Sequence, residues 1–257
     1  MRIVIKIGTS TLAYKTGLLN IRRVEEICKV ISDLKNAGHE IVLVSSGAIG
    51  LGLGKLHIQS RPDDIPTKQA AAAVGQCELM SIYEEYFGVY NHTVAQILIT
   101  GAFAELEDYG KNLDNTLSRL LSLGAIPIVN ENDTVTTDEI VIGDNDTLGA
   151  IIANKVEADM LILLSDIDGL YTGDPHKDEN ATRIEVVEEI TDEIRLLAKD
   201  RSSVLGTGGM ITKIRAAEMV TPRGIEMVVA NGNNPAVLYD IVNGGGVCTR
   251  FKKGTIR

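Results

Sequence analysis

The sequence contains no tryptophan, and aromatic residues make up only 4% of its 257 positions. A core without many large rings must be built mainly from aliphatic side chains, and 44% of the chain is hydrophobic. A globular chain of this length buries roughly 70 to 75% of its unfolded surface, so it needs no disulfide or metal to stabilise its core. The composition therefore indicates an ordinary globular protein with an aliphatic core.

Cysteine is also scarce. Cys28, Cys77 and Cys248 are far apart and form no CxxC pair, which excludes the disulfide framework of a small secreted domain. We expect all three to be small buried hydrophobic residues in a reducing compartment. The apolar run at residues 2–7 is too short for a signal peptide, and the chain has no run of 18 apolar residues. We therefore expect a cytoplasmic protein that folds from residue 1 and does not associate with membranes.

Positive charge is in short supply, since 25 lysines and arginines face 35 acidic residues and give a formal net charge of −10. This balance repels a nucleic-acid backbone, and no long basic cluster offsets it, so nucleic acid is excluded as a partner. If the ligands are anionic, the positive charge that binds them must come from individual lysines and a divalent metal ion.

Apolar runs of strand length recur along the chain. Most have consecutive rather than alternating apolar residues, which is typical of parallel strands covered on both faces. The runs span residues 2–7, 40–44, 93–99, 125–129, 160–164 and 226–229. Segments with helical spacing lie between them, at residues 21–37, 67–87, 111–123, 146–158, 191–199, 210–220 and 235–242. This alternation predicts an α/β fold with an open, mainly parallel sheet sandwiched between helix layers.

The domain organisation is simple. We see no internal repeat or flexible linker, so we predict a single domain over residues 1–257, with two lobes. The stretch 134–142 interrupts the rhythm with β-branched residues around a polar centre, which predicts a protruding hairpin.

Small, polar and glycine residues follow four of the strand-like runs. The segments are KIGTS at 6–10, SSGAIG at 45–50, NEND at 130–133 and SDIDG at 165–169. Ligands of open α/β sheets bind outside the carboxyl ends of strands. Glycine lets backbone N–H groups approach an anion, and hydroxyl groups add donors. One such segment can be a simple turn, but four together favour a site for phosphate and carboxylate groups.

Two lysines are candidates for binding an anion. Lys6 lies within an apolar strand, where a charge is costly unless a partner or ligand accompanies it, although it could equally mark the solvated strand end. Lys213 follows the glycine-rich segment 206–212 and opens an amphipathic helix, an arrangement that suits a nucleotide phosphate. The acidic segment GDND at 143–146 could orient these lysines, hold Mg²⁺ through water, or cap a helix.

Several common catalytic motifs are missing. The sequence has no GxxxxGK[ST] P-loop, no GxGxxG dinucleotide motif, no protein-kinase HRD or DFG set, and neither HExxH nor GxSxG. The glycines at 47, 50, 52 and 54 have the wrong spacing for a dinucleotide site, which disfavours a dehydrogenase.

Together, these segments resemble the amino acid kinase family, and within it the members that phosphorylate the side-chain carboxylate of glutamate. The matching strings are VIKIGTS (4–10), VSSGAI (44–49), KQAAAAVGQ (68–76), NEND (130–133), VIGDND (141–146), LLSDIDGLYTGDP (163–175) and GTGGMITK (206–213). The resemblance implies ATP as co-substrate with Mg²⁺, and γ-glutamyl 5-phosphate and ADP as products, in the first step of proline biosynthesis. It also implies a glutamate-binding lobe at about residues 1–150 and an ATP-binding lobe at about residues 151–257.

The resemblance implies roles for individual residues. Ser46, Asp133 and Asn145 would contact glutamate. Lys6 and Lys213 would neutralise charge on the transferring phosphoryl group, while Asp146 positions both lysines; metal ligands are left open. The residues implied to contact ATP are Lys6, Gly8, Ser165, Asp166, Thr207, Gly208, Gly209, Met210, Ile211, Thr212 and Lys213.

Further expectations rest on the resemblance alone. Proline would inhibit the enzyme, the chain would form a homodimer or homotetramer, and its activity would be coupled to the next enzyme of proline synthesis. Many such members carry a C-terminal PUA domain, which we expect to be absent from a chain ending at Arg257. The alternatives are a kinase of the same architecture that acts on acetylglutamate, aspartate, uridylate or carbamate, and a non-catalytic amino-acid sensor.

Overall fold

The computed structural model describes residues 1–14, 16, 18–60, 62–100, 107–135, 145–173, 175, 178, 180–199 and 209–254. The strands are β1 (Arg2–Ile7), β2 (Glu40–Ser45), β3 (Val94–Ile99), β4 (Ile126–Glu131), β5 (Met160–Ser165), β6 (Leu170–Tyr171), β7 (Arg183–Ile184), β8 (Val186–Val187), β9 (Glu226–Asn231) and β10 (Cys248–Phe251). The main sheet has the order β3-β4-β2-β1-β5-β9-β10-β8, and β6 pairs with β7 beside it. The six predicted strands all form, with small shifts at their ends.

The pairing is parallel from β3 across to β9, as the consecutive apolar residues predicted. The short strand β10 then pairs antiparallel with β9, and β8 pairs parallel with β10 at the edge of the sheet; the sequence did not predict these two strands. Because β1 lies between β2 and β5, its carboxyl end opens between the two halves of the sheet. This is where ligands of such sheets bind.

The helices are α1 (Thr9–Leu12), α2 (Ile21–Asn36), α3 (Ala48–Lys55), α4 (Ile65–Gly88), α5 (Glu107–Ser122), α6 (Asn145–Lys155), α7 (Asp192–Lys199), α8 (Met210–Val220) and α9 (Val237–Val242), with a 3₁₀ turn at Thr221–Arg223. The predicted helices are all present. Side-chain caps open α2 and α4, where Asn20 and Asp64 accept hydrogen bonds from backbone N–H groups of the first turn. Gly38, with φ of +94°, ends α2 as predicted. The sequence did not predict α1 or α3, because α1 is very short and α3 contains three glycines.

Helices cover both faces of the sheet, which confirms the predicted three-layer fold. Along β1, Val4 packs into a core shared with α5, α6, α7 and α8, while Ile3 and Ile5 pack into a core shared with α2, α3, α4 and α9. Alternate residues of a strand point to opposite faces, so every apolar position finds a partner. The core is aliphatic apart from a few rings such as Tyr83, Phe87 and Phe251.

The helices α3 and α4 approach each other closely at two glycines. A Cβ atom on Gly52 would lie 1.8 Å from the carbonyl oxygen of Ala71, and one on Gly75 would lie 1.7 Å from that of Ala48. Since real Cβ atoms cannot approach so near, only glycine allows this contact. It holds α4 against the segment that follows β2.

Some expectations need correction or fall outside the described residues. Cys28 and Cys248 are buried as expected, but Cys77 is exposed, because it lies on the solvent side of α4. Of the predicted hairpin only residues 134 and 135 are described, as a turn, and the glycine-rich segment is described from Gly209 onward. No helix in the described ranges is both long and apolar enough to span a membrane.

Candidate active site

Two lysines and one aspartate meet at the carboxyl edge of the sheet. Nζ of Lys6 lies 2.7 Å from Oδ1 of Asp146, and Nζ of Lys213 lies 3.0 Å from Oδ2 of the same carboxylate. All three residues are buried, with exposed fractions of 9%, 1% and 4% for Lys6, Asp146 and Lys213. These are the three residues predicted to be catalytic, and the fold brings them together.

The fold explains why they meet. Lys6 is at the end of β1 and lies on the same face as Val4, the face that α6 and α8 cover. Asp146 is in the first turn of α6, where the positive end of the helix dipole favours a carboxylate. Lys213 is in the first turns of α8, and α6 and α8 pack against each other. Strand and helix ends therefore converge on one carboxylate.

The electrostatic environment keeps Asp146 ionised. Burial alone would raise the pKa of its carboxyl group, but the charges of Lys6 and Lys213 and their hydrogen bonds more than offset this and hold the pKa well below its ordinary value. The cluster pairs two ammonium groups with one carboxylate. Its excess positive charge suits an anionic ligand such as a phosphoryl group.

Thr212 also contacts this carboxylate. Its hydroxyl lies 2.8 Å from Oδ2 of Asp146 and 2.7 Å from the carbonyl oxygen of Gly209, the residue that precedes α8. The sequence predicted a contact of Thr212 with ATP. In the structure its side chain contacts Asp146, which links the start of α8 to the start of α6, and the contact with ATP stays a prediction.

A second polar group connects β2, β4 and α6. The side-chain nitrogen of Asn145 lies 2.9 Å from Oγ of Ser46, 3.1 Å from the carbonyl oxygen of Ser45, and 3.0 Å from Oδ1 of Asn130. Ser46 and Asn145, both predicted to contact glutamate, are thus in direct contact. Because Asn145 precedes Asp146 in the chain, this group and the lysine cluster are neighbours.

Asp133 lies nearby, after the end of β4. It lines a small cavity of about 20 Å³ together with residues that include Gln76 and Glu131. Burial and the negative charge of Glu131 raise the pKa of Asp133 to about 6. A carboxylate that is costly to ionise in these surroundings is well suited to bind a cationic group, which would stabilise its charge.

The predicted nucleotide contacts lie at the end of β5. The Ser165 hydroxyl lies 3.0 Å from Oδ1 of Asp166, and the backbone N–H of Gly232 donates to the carbonyl oxygen of Ser165. Gly8 lies beside them, but its N–H already donates to the carbonyl oxygen of Leu164 at 3.3 Å. A Cβ on Gly8 would lie 3.8 Å from Nζ of Lys6, which is an ordinary contact distance and places Gly8 next to the Lys6 ammonium group. Thr207 and Gly208 fall outside the described residues, whereas Gly209, Met210 and Ile211 form the start of α8.

Two polar residues of this region were not predicted from the sequence. Asn130 and Gln76 lie within matched strings but were given no role, although the Asn130 amide donates to Oε1 of Gln76 at 2.9 Å. A signal was present in each case. Asn130 follows the apolar run of β4, and Gln76 follows an alanine-rich stretch of α4; both are buried.

Known proteins resemble this chain over most of its length. The family model described as "Amino acid kinase family" matches residues 1–231. A glutamate 5-kinase of Clostridium perfringens is 52% identical over 259 residues, covering 98% of this chain and 96% of the relative. A glutamate 5-kinase of Thermoanaerobacter sp. is 51% identical over 252 residues, covering 98% of this chain and 68% of the relative.

The chain belongs to the amino acid kinase family. Solved structures with the same fold superpose on nearly the whole of this chain. A UMP kinase from Ureaplasma parvum has a TM-score of 0.65 at 16% identity, covering 98% of both chains. An isopentenyl phosphate kinase has a TM-score of 0.67 at 17% identity, covering 98% of this chain and 100% of that one. At such low identity these two structures establish the fold only, whereas the relatives at about 50% identity confirm the resemblance to glutamate kinases that the motifs indicated.

Proposed function

We infer that this amino acid kinase transfers the γ-phosphoryl group of ATP to the side-chain carboxylate of L-glutamate. The observation that carries the phosphoryl-transfer chemistry is the buried cluster in which Lys6 and Lys213 share Asp146. The choice of glutamate is supported by relatives named glutamate 5-kinase at about 50% identity over nearly the full chain. The products are γ-glutamyl 5-phosphate and ADP, and the reaction is the first step of proline biosynthesis.

The reaction needs no general base. The glutamate side chain is already ionised at neutral pH, so one of its oxygens can attack the γ-phosphorus directly. A new carboxyl O–P bond forms while the bond between the γ-phosphorus and the bridging oxygen of ADP breaks. Catalysis of such a step consists of alignment and charge stabilisation.

In our proposal, Lys6 and Lys213 supply that charge stabilisation. Their ammonium groups are held within 3.0 Å of the Asp146 carboxylate, so their positions are fixed before the substrates bind. Preorganised charges of this kind cost little reorganisation during the reaction. Asp146 acts by holding both lysines, and Thr212 supports it.

Glutamate is proposed to bind on the lobe formed by residues 1–150. Ionised Asp133 would meet the substrate ammonium group, while Ser46 and Asn145 would offer hydrogen bonds to its polar groups. The raised pKa of Asp133, about 6, supports this role because a bound cation relieves its burial.

ATP is proposed to bind on the lobe formed by residues 151–257. Ser165 and Asp166 end β5, and Gly209 to Lys213 form the start of α8, where backbone N–H groups and the helix dipole favour a phosphate. Thr207 and Gly208 belong to the same proposed contact, and Gly8 leaves space beside Lys6.

Mg²⁺ is also part of the proposal. Within the described residues, no group of three or more acidic, histidine or cysteine side chains could hold a metal, and both oxygens of Asp146 already bind lysines. Magnesium usually keeps several waters and binds through few carboxylates plus substrate phosphates, so this donor set fits an ion that is held mainly by ATP. When bound, it would neutralise charge on the phosphates.

From the family resemblance we also propose a cytoplasmic location, inhibition by proline at the glutamate site, assembly into a homo-oligomer, and coupling to the next enzyme of proline synthesis.

An ADP-release assay tests the proposed function. The purified chain is incubated with ATP, with or without Mg²⁺, and with glutamate, N-acetylglutamate, aspartate or UMP. We expect turnover only with glutamate among these four acceptors, and we expect proline to lower the rate with glutamate. ADP release with N-acetylglutamate or UMP but not with glutamate would reject the assignment.

A further inference from the structure

A row of buried amides connects α4 to the proposed glutamate site. The Gln76 amide nitrogen donates to Oε1 of Gln96 at 3.3 Å, Asn130 donates to Oε1 of Gln76 at 2.9 Å, and Asn145 donates to Oδ1 of Asn130 at 3.0 Å. Gln76, Asn130 and Asn145 are all at least nine-tenths buried. In such a place each amide keeps the orientation that satisfies its neighbours.

Backbone groups fix which way the amides face. The carbonyl oxygen of Ser45 can only accept a hydrogen bond, so it requires the nitrogen of Asn145 on its side. The N–H of Glu131 can only donate, and it donates to Oδ1 of Asn130 at 2.9 Å. Asn130 therefore presents its oxygen to Asn145 and its nitrogen to Gln76.

The orientation of Asn145 has a consequence for a ligand. Its nitrogen is used by Ser45, Ser46 and Asn130, which leaves Oδ1 as the free end of the amide. This oxygen is buried and has no hydrogen-bond partner among the residues that the structure describes. A buried acceptor without a partner is costly, so the arrangement favours a ligand that brings a donor, such as an ammonium group.

We propose that Gln76 is a positioning residue for glutamate recognition, which acts through Asn130 to hold the amide of Asn145 in its binding orientation. The inference rests on the proposed function of the site. Gln76 supplies the acceptor for the Asn130 nitrogen; without it, a buried donor loses its partner and the amide that contacts Asn145 loses one of its two restraints.

Gln76 could instead affect glutamate by direct contact, because it lines the same small cavity as Asp133. The two routes differ in one respect. If Gln76 acts through Asn130 and Asn145, its removal has no further effect once the Asn145 side chain is gone. If Gln76 contacts the substrate itself, the two losses multiply.

The test compares Gln76→Met, which removes the acceptor, with Gln76→Glu, which keeps an acceptor oxygen for Asn130. We expect Gln76→Met to raise the KM for glutamate on the order of tenfold while the KM for ATP and kcat stay within about threefold of the parent. Gln76→Glu should give a KM for glutamate between those of Gln76→Met and the parent, because its carboxyl group accepts from Asn130 but adds negative charge beside Glu131 and Asp133. In an Asn145→Ala background, Gln76→Met should change the KM for glutamate less than about twofold.

Three results would overturn the proposal: an unchanged KM for glutamate in Gln76→Met, a parallel loss in both KM values and kcat, or a full multiplicative effect in the Asn145→Ala background. If Gln76→Met does not fold, Gln76→Ala, which also lacks the acceptor, is measured in its place. Turnover of glutamate by the parent chain is checked first, so failure of the proposed function is separable from failure of the Gln76 role.

Discussion

Lys6 and Lys213 come from opposite ends of the chain, yet their ammonium groups bind the two oxygens of one buried carboxylate, at 2.7 and 3.0 Å. A buried carboxylate with one lysine would be a neutral ion pair. The second lysine leaves this cluster with a positive charge, which is costly in a buried place unless an anion binds beside it. The arrangement therefore makes sense as part of a site for phosphoryl groups.

Removal of either lysine should mainly affect the chemical step. We expect Lys6→Ala and Lys213→Ala each to lower kcat on the order of a hundredfold or more, because each loses a charge that stabilises the transition state. Steady-state kinetics with glutamate and ATP measure the effect, and circular dichroism checks folding. The control is Lys111→Ala, since Lys111 forms an exposed ion pair within α5 and should leave kcat unchanged. Near-parental kcat in both site variants would show that neither lysine has the proposed role.

The variant Asp146→Asn should reduce both activity and stability. It keeps the shape of the side chain but leaves Lys6 and Lys213 buried without their carboxylate, and breaking a buried pair in this way costs about 3–5 kcal/mol. We expect a lower free energy of unfolding at pH 7, measured by urea denaturation, and a large loss of kcat.

The pH dependence of that effect has a definite sign. Because the folded pKa of Asp146 is depressed, the parent keeps this stabilisation above the ordinary aspartate pKa and loses it only as the pH falls into strong acid. Asp146 does not titrate between pH 6 and pH 8. The difference in the free energy of unfolding between the parent and Asp146→Asn should therefore vary by about 1 kcal/mol or less over this range. An Asp146→Asn protein as stable as the parent at pH 7 contradicts the ion-pair model.

Asp133 should make glutamate binding depend on pH near neutrality. Its pKa of about 6 means that the free enzyme gains a proton as the pH falls through this value, and a protonated carboxyl group cannot pair with the substrate ammonium. We expect the KM for glutamate to rise below pH 6 while the KM for ATP stays flat. Asp133→Asn should have a high KM for glutamate at every pH, without this transition.

The same group should affect stability with the opposite sign to Asp146. A folded pKa that is raised from 3.8 to about 6 makes ionised Asp133 destabilising above pH 6, and this cost disappears as the pH falls toward 4. Asp133→Asn should therefore be more stable than the parent at pH 8 and lose that advantage at pH 4. Equal stability curves for the two proteins would mean that Asp133 is not desolvated.

The sequence predicted the layers and the strand ends well, for a physical reason. Consecutive apolar residues such as Ile3, Val4 and Ile5 can be satisfied only in a strand buried on both faces, and parallel strands bring their carboxyl ends to one edge. The meeting of Lys6 and Lys213 followed from that topology together with the family resemblance. Residue types alone did not establish it.

The row of buried amides that includes Gln76 and Asn130 could not be predicted in the same way. A single buried amide in a helix carries no periodic signal, and its partner depends on how α4 packs against α3 and β4. That packing is set by the close approach at Gly52 and Gly75. In the sequence, Gly52 looks like part of a flexible glycine-rich stretch, and Gly75 looks like an ordinary helix position. Cys77 was misassigned for the same reason, because which face of α4 is exposed depends on tertiary contacts.

That close approach leads to the last prediction. Gly75→Ala would place a methyl group 1.7 Å from the carbonyl oxygen of Ala48, so α3 and α4 must separate. Overpacking of this kind typically costs about 1–3 kcal/mol, and a clash with backbone should reach or exceed that range. Because Gln76 is the next residue, we also expect a higher KM for glutamate and little change in the KM for ATP.

The matched control for Gly75→Ala is Gly88→Ala in the same helix. A Cβ at Gly88 meets nothing within 4 Å, and alanine favours a helix over glycine, so this variant should be as stable as the parent or slightly more stable. Thermal unfolding and glutamate kinetics of the two variants separate tertiary contact from helix propensity. If both alanines have the same effect on the melting temperature, the helices are not in the close contact described. If Gly75→Ala alone is destabilised and its KM for glutamate rises, the position of α4 relative to α3 controls the proposed glutamate site.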